Sequence, residues 1–544
     1  MNFAILTLQT QNNLKTGGIG MKKLLSLLLS ICMAASILVG CGAQKMENPG
    51  NTANDKLAET ESITDEVREE KEAGEPEKVV VRMVCLGTVP SDLKLVEDAI
   101  NKISVPEINV QVELEAISIA NYDNQLAMDM TSGEQVDVFY ATNYNSLVSN
   151  KQLLDITDYI GQYGQGLVEQ TTAEWLKATS VGGRIYAVPV INGKAMTCTV
   201  AMRTDILEKY NLTPELTLGK DINDSDMQKN LEELNYVFEI VKENEPDMIT
   251  LFYPVATAGF TGLINYDSLT DGNGVLMGEE GWNVVDLYET DEYYQMLELA
   301  RKWYNAGYIK SDAATDKESE ASYMSAGRLF ASVSYSEVGL DAQYKASTGY
   351  DYTCVKIKTP LLTSSSLSGM IWGVSSTTKV PEASVKFLDL AYTNKDVANL
   401  MCYGVQDVHW ILNDDGTVSY PEGIDNTNSP YPSSTYWAMP NSLVGNPLEG
   451  NPSDYNEILA ENNKTAPVSR ALGFTFDQSN VTTQCAAVSA VLDEYLPGFK
   501  TGSLDLEQNY SNFIEKLKAA GMDDIIAEKQ KQLDAWCTEN GINK

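Results

Sequence analysis

The chain carries a single histidine, His409, in 544 residues. Enzymes that need two or more histidine ligands, or a Ser-His-Asp arrangement with a second histidine, are thereby largely excluded. Basic residues are also scarce: 39 Lys and Arg face 76 Asp and Glu, a formal charge of −37. Such a surface repels phosphate backbones and offers no basic patch, so nucleic acid is rejected as a partner. The eight cysteines, Cys32, Cys41, Cys85, Cys198, Cys354, Cys402, Cys485 and Cys537, contain no CxxC pair and no zinc-knuckle spacing. A chain of this size needs no disulfide framework, and buried free thiols are expected for the six beyond Cys41. The apolar run Leu24–Leu38, at about 15 residues, falls short of the roughly 20 that span a bilayer as a helix. No internal repeat is present.

What that short run does make is a leader. Lys22 and Lys23 precede it, and Leu38-Val39-Gly40-Cys41 closes it. A small residue before a cysteine in that place reads as a signal peptide whose Cys41 thiol receives a diacylglycerol. Two acyl chains, at about 0.8 kcal/mol per buried CH₂, hold a soluble domain on a membrane surface. The expected location is the extracellular face of the cell membrane, lipid-anchored. Met1 to Gly20 fits no part of a leader, so translation from Met21 is expected, with 1–40 as mis-called start plus signal peptide. Residues 41–78 are acidic and nearly free of large apolar groups, as in a disordered tether.

The remaining residues, about 465, suggest two large domains or lobes. Val79 to Val84 is too apolar to be half exposed and reads as a strand of a buried parallel sheet. A helix capped at Ser91-Asp92 follows, then a strand from Ile108 to Ile117, a helix from Tyr122 to Ser132 and a strand from Val136 to Tyr140. This alternation predicts an α/β fold with parallel strands and crossover helices. Ligands of such sheets bind at the carboxyl ends of strands, here Leu86-Gly87-Thr88 and Tyr140 to Tyr144. Gly182-Gly183 is a turn feeding a long extended run through Met202, of the kind that crosses between lobes. Asp414-Asp415-Gly416 is a hairpin turn, and Tyr510 to Trp536 reads as helix.

The order of these pieces resembles the extracellular solute-binding proteins that serve carbohydrate ABC importers. The residues that carry the resemblance are Cys41, Asp137-Val138-Phe139-Tyr140, Gly182 to Pro189, Met202-Arg203-Thr204-Asp205 and Ser325-Ala326-Gly327-Arg328. Tyr403 to Ile411 and Glu528 to Trp536 are similar to a Gram-positive lipoprotein subgroup with an additional C-terminal domain, associated with complex or plant-derived oligosaccharides. The resemblance implies a two-lobed periplasmic-binding-protein-like fold of type II, its lobes joined by crossing strands, with a helical C-terminal extension. The expected division is 79–195 and 336–378 in lobe 1, and 196–335 and 379–544 in lobe 2. The implied partners are an oligosaccharide, two ABC permease subunits and a cytoplasmic ATPase. A monomer is expected, without cofactor or metal.

Sugar sites need aromatic platforms and fixed amide, hydroxyl and carboxylate groups. The 28 tyrosines against 11 phenylalanines suit that need, although for any single tyrosine a core or surface role is the commoner one. Position selects Tyr140, Thr142, Asn143 and Tyr144 after their strand, Asn192 in the crossover, Thr257 and Phe260, then Tyr335, Trp372, His409, Trp410 and Trp437. Trp372 is expected to be a stacking platform. A uronate-containing ligand would call for a cleft cation, with Arg184, Lys194 and Arg328 available. Asp221 to Asp226 hints at a calcium loop, but Asp226 stands where the sharp turn needs glycine, which favours a helix N-cap. Asp267, Asp271 and Asn273 form a second polar turn of the same kind. Three other functions stay open on these residues: a lipid-anchored hydrolase or lyase using two carboxylates, a peptide-binding import lipoprotein, and a non-transport adhesin.

Overall fold

The computed structural model describes residues 74–252, 260–336 and 338–544. The leader, Cys41, nearly all of the expected tether and Thr257 lie outside the described residues. Strand β1 (Glu77–Cys85) is buried from Val79 onward, as its apolar run, interrupted only by Arg82, requires of a strand covered on both faces. Helix α1 (Leu93–Ile108) leads to β2 (Val110–Ser118), and α2 (Tyr122–Ser132) to β3 (Val138–Ala141). β1 pairs in parallel with both, Val81 lying opposite Leu114 and Val138. The expected crossover arrangement is therefore present. α3 (Tyr144–Ser149) follows β3 at once. Gly182 and Gly183, at φ 57° and 75°, make a two-residue hairpin turn in the left-handed region that glycine enters freely. β4 (Ala187–Pro189) then takes the far edge of the sheet.

The chain crosses through Asn192 to Met196 and builds a second sheet. It begins with β5 (Thr197–Arg203), followed by α4 (Ser225–Asn244), β6 (Ile249–Phe252), α5 (Asp291–Asn305), β7 (Leu329–Ser336) and β8 (Tyr352–Lys356). Its order is β8-β5-β7-β6, with only the β7–β6 pair parallel. A return through Ile357 to Thr363 leads to α6 (Ser364–Ser368) and to β9 (Ile371–Val374). β9 inserts antiparallel between β3 and β4, completing the order β2-β1-β3-β9-β4. α7 (Pro381–Thr393) and α8 (Lys395–Tyr403) cover that first sheet. The Asp414-Asp415-Gly416 hairpin forms, Ile411 pairing with Ser419. A last crossing near Ala471 delivers α9 (Thr482–Lys500), α10 (Leu506–Ala520) and α11 (Met522–Glu539) to the second lobe.

Two large apolar cores result, with a smaller cluster of Ala201, Tyr323, Met324, Leu329 and Tyr352. One runs from Val79 to Ile191 and resumes from Leu362 to Leu472; the other runs from Cys198 to Ile357 and resumes from Ala471 to Cys537. This differs from the expected lobe boundaries in two places. Residues 336–357 stay with the second lobe because β8 pairs with β5, Cys354 opposite Ala201. Residues 379–470 belong largely with the first because Val385, Phe387, Leu388, Val397 and Met401 enter its core. Amphipathic spacing reveals that a helix buries one face, not which lobe receives it. The C-terminal helix also differs in being two helices, broken at Gly521 with φ 100°.

None of the six described cysteines forms a disulfide among the described residues, and Cys85, Cys198, Cys402 and Cys537 are buried. Asp224 caps α4, its side chain accepting from the Asp226 N–H at 2.9 Å, which is the N-cap role favoured over a calcium loop. In the second polar turn Asp271 pairs with Lys529, and Asp267 accepts from the Leu269 N–H and from Ser469. Burial raises the Asp267 carboxyl above its usual range. Among the described residues no three His, Cys, Asp or Glu side chains converge as a metal site.

Candidate ligand cleft

Two crossing segments meet at the floor between the cores. They are held to one another and to later chain: Ile357 N–H donates to Cys198 O at 2.9 Å, Ile191 N–H to Pro440 O at 2.9 Å, and Leu362 N–H to Pro467 O at 2.8 Å. A cavity of about 220 Å³ opens on this floor. The first crossing supplies Lys194, Met196 and Thr197, the second Lys358 to Leu361, the end of β7 Tyr335, and the loop after β6 Ile264 to Tyr266. Tyr335 is 40 % exposed there. A neighbouring cavity of about 480 Å³ has walls from both lobes. Thr142, Asn143 and Tyr144 from the end of β3 face Thr270 and Phe476 to Ser479 across Ser365 and Ser368 of α6. α6 is the divider, with Ser366 on the first cavity and Ser365 on the second. Ser365 also ties the lobes, its Oγ lying 3.0 Å from Ser268 Oγ and accepting from the Thr270 N–H at 3.1 Å.

A third cavity, about 510 Å³, shares Thr359 to Leu361 with the floor but reaches no strand end of the first sheet. Its Arg470 guanidinium is committed to the carbonyls of Met277, Gly278, Glu280 and Gly281. The two floor cavities match the carboxyl-end rule for α/β sheets better.

The side chains singled out by sequence separate into three groups. Thr142 and Asn143, both exposed, line the larger floor cavity together with Tyr144, and Tyr335 lines the smaller. Phe260 begins a single turn, Phe260–Leu263, beside that smaller cavity's wall at Gly262. Asn192 and Trp437 meet elsewhere, in a cleft of about 40 Å³. Asn192 is a structural tie there, donating to Trp437 O at 2.9 Å while its carbonyl accepts from Asn463 at 2.7 Å.

The third group is core. Trp372 is 0 % exposed, its indole N–H donating to Ala438 O at 2.9 Å and its ring edge-on to Tyr140 at 6.3 Å. A ring with no open face cannot stack on a sugar, so the expected platform role is corrected to packing. Tyr140 is buried beside it against Tyr122 and Trp437, and burial pushes its phenol up to about 12. His409 is 0 % exposed. Its Nδ1 accepts from the Val405 N–H at 2.8 Å, which puts the ring proton on Nε2, 3.2 Å from Asp92 Oδ2. It fastens the start of α1 to the loop after α8 and lines none of the cavities described above. Asp92 is engaged there and makes no side-chain cap to its helix. Trp410 is likewise buried, donating to Gly404 O at 2.9 Å. Alternation marks such residues as strand-end candidates, but the loop 404–440 folds over them.

Sequence reasoning passed over Lys358, the α6 serines and the Phe476 to Ser479 turn. Of the three cations it raised, Arg184 pairs with Asp155 and Asp158, and Arg328 lies over the Tyr323 ring at 5.3 Å. Lys194 alone lines the floor. Tyr144 is buried with its hydroxyl bonded to nothing among the described residues, and burial raises its phenol well above the usual range. Leaving a buried donor unpaired costs about 1–3 kcal/mol. Tyr144→Phe is therefore expected to melt no lower than the parent; a fall in melting temperature would show that the hydroxyl has a partner in the free protein.

A family model described as bacterial extracellular solute-binding protein matches residues 98–398, more than half of the chain. A second, a domain of unknown function (DUF3502), matches 470–538, which contains α9 to α11. A carbohydrate ABC transporter substrate-binding protein from Streptococcus pneumoniae serotype 4 is 26 % identical over 490 residues, covering 86 % of this chain and 92 % of that protein. The crystal structure of the N-glycan transport solute binding protein NgtS from Streptococcus pneumoniae superposes with a TM-score of 0.73 at 22 % identity, over 85 % of this chain and all of that one. The alginate-binding protein AlgQ2 superposes at 0.56 and 15 % identity, over 85 % of this chain and 98 % of that one. Both likenesses are of fold: two α/β lobes with a cleft between them. By the family match, this chain belongs to the bacterial extracellular solute-binding proteins and is a binding protein rather than an enzyme.

Proposed function

We propose that the chain is a lipid-anchored receptor that captures an oligosaccharide outside the cell and delivers it to an ABC-type importer by closing its two lobes. Cys41 is the anchor, and two permease subunits with a cytoplasmic ATPase are the partners. The observation that carries this reading is the pair of cavities on the floor between two separate cores, walled by the segments that join them. A ligand seated there touches both halves and both joints, so its contacts favour the closed arrangement over the open one. Hydroxyl and amide groups are set into the walls, with Thr142, Asn143, Ser365, Ser368, Gln478 and Ser479 in one cavity. Those groups suit sugar hydroxyls, and the carbohydrate-transport relatives point the same way. Tyr144 supplies a donor already in place, so Tyr144→Phe is expected to weaken glycan binding about tenfold.

The test is calorimetry of the mature chain against a panel of oligosaccharides, including mannose- and N-acetylglucosamine-containing ones, with product analysis alongside. Saturable binding without cleavage is the expected result. Peptide binding with no glycan binding would overturn the substrate class. Labelling of membrane-associated protein with a radioactive fatty acid, lost in Cys41→Ala, tests the anchor.

A further inference from the structure

In a chain with a formal charge of −37, the 220 Å³ floor cavity is lined by two lysines and, among the described residues, by no carboxylate. Lys194 and Lys358 come from the two different crossing segments, and each is 7 % exposed. Lys358 Nζ donates one hydrogen bond, to Ile264 O at 2.8 Å, and forms no ion pair among the described residues. A buried ammonium has three donors, so a carbonyl leaves two of them for something in the cavity. Burying such a charge without a counter-ion is costly unless an anion arrives. Around it stand neutral hydroxyl and amide groups of Thr197, Asn265, Tyr335 and Thr359, the kind that hold a sugar ring.

We infer that this cavity receives the carboxylate of an acidic sugar residue, so that the cargo is an oligosaccharide containing a uronate or sialate unit. The inference rests on the carbohydrate reading above and narrows its substrate class. A carboxylate bonded to Lys358 makes charge-assisted hydrogen bonds, which are shorter and stronger than those between neutral groups. Because the two lysines sit on the two joints, the anion also bridges the segments about which the lobes turn. An anionic unit thereby biases closure as well as affinity.

Burial lowers the Lys358 ammonium to about 8, against the weaker attractions of Cys198 and Asp221. Cys198 faces it from β5 with its thiol raised to about 12 by burial, and burial likewise raises the Tyr266 phenol above its usual range. Neither acquires charge as the pH passes 8. Lys194 lines the same cavity, and Asp221 acts from the loop before α4. The cationic form of Lys358 is thus present at pH 7 and is lost as the pH rises through its folded value, and attraction for an anion is lost with it.

The experiment is calorimetry of the mature chain with matched pairs: trigalacturonic acid and its methyl ester, 3′-sialyllactose and lactose. The charged member of at least one pair is expected to bind about tenfold or more tighter at pH 7. That preference should shrink by pH 9.5, survive in Lys358→Arg and disappear in Lys358→Met. Equal or weaker binding of every charged member overturns the inference while leaving the carbohydrate reading intact. So does a preference unchanged by pH, which decides the matter even where Lys358→Met does not fold. Binding of neither member of either pair, nor of any glycan in the panel, overturns the parent reading and this one together.

Discussion

Trp372→Ala should unfold the first lobe at markedly lower denaturant while leaving the second lobe's transition in place. Trp372 is among the largest fully buried side chains. It sits on β9, an inner strand of the first sheet, opposite Tyr140 on one side and Val188 on the other. Removing a buried tryptophan costs about 3–5 kcal/mol through lost transfer energy and the cavity left behind. Ala438 O also loses its donor, an unpaired buried group worth a further 1–3 kcal/mol, roughly. Urea unfolding followed by tryptophan fluorescence and by circular dichroism separates the two cores if they melt in turn. Protein that remains folded should bind its ligand normally. Unchanged stability with weakened binding would return Trp372 to the platform role that the sequence suggests.

Lys529→Met should have a comparable effect on the second lobe. Lys529 on α11 is 0 % exposed, pairs with Asp271, donates to Gly274 O at 2.9 Å and lies 4.9 Å over the Phe476 ring. Burial lowers its ammonium below the usual lysine range despite Asp271 beside it; desolvation outweighs the attraction. Removing one partner of a buried pair strands the other and costs about 3–5 kcal/mol. Asp271 also accepts from Gln478 at 2.8 Å, so this pair fixes the Phe476 to Ser479 turn that walls the larger floor cavity. The variant is expected to lose glycan affinity along with stability. Asp271→Asn with Lys529→Met should recover part of the stability, because no charge is then left unpaired. A single variant that melts like the parent would mean the ion pair is not buried in solution.

The C-terminal helices therefore act on the cleft through one turn. Their apolar positions, Phe513, Leu517, Ile525 and Leu533, enter the same core as β5 and α5. They complete the second lobe and at the same time brace its cleft wall.

How much of this was legible in the sequence follows from what periodicity encodes. Val79 to Val84 announced a doubly covered strand, and α2 was bounded correctly from Tyr122 to Ser132. Strand ends followed from those elements, which is why Thr142, Asn143 and Tyr335 were found near cavities. Side-chain depth did not follow. Trp372, His409 and Trp410 sit at strand ends or in the loop after α8, yet the 404–440 segment and its neighbours enclose them, a long-range contact that no local pattern carries. Lys358 was missed for the opposite reason. A lysine between Ile357 and Thr359 looks like a solvent-facing residue of an edge strand, and only the crossing of two distant segments buries it. Lobe boundaries failed likewise, since the apolar faces of α7 and α8 do not say which sheet they cover.

The central claim is that two halves hinge about the crossing segments and shut on a solute. Small-angle X-ray scattering of the mature chain, with and without a saturating glycan from the panel, tests it most directly. The account predicts a smaller radius of gyration and a shorter maximum dimension in the bound state. Superimposable profiles at a concentration where calorimetry shows full occupancy would contradict it.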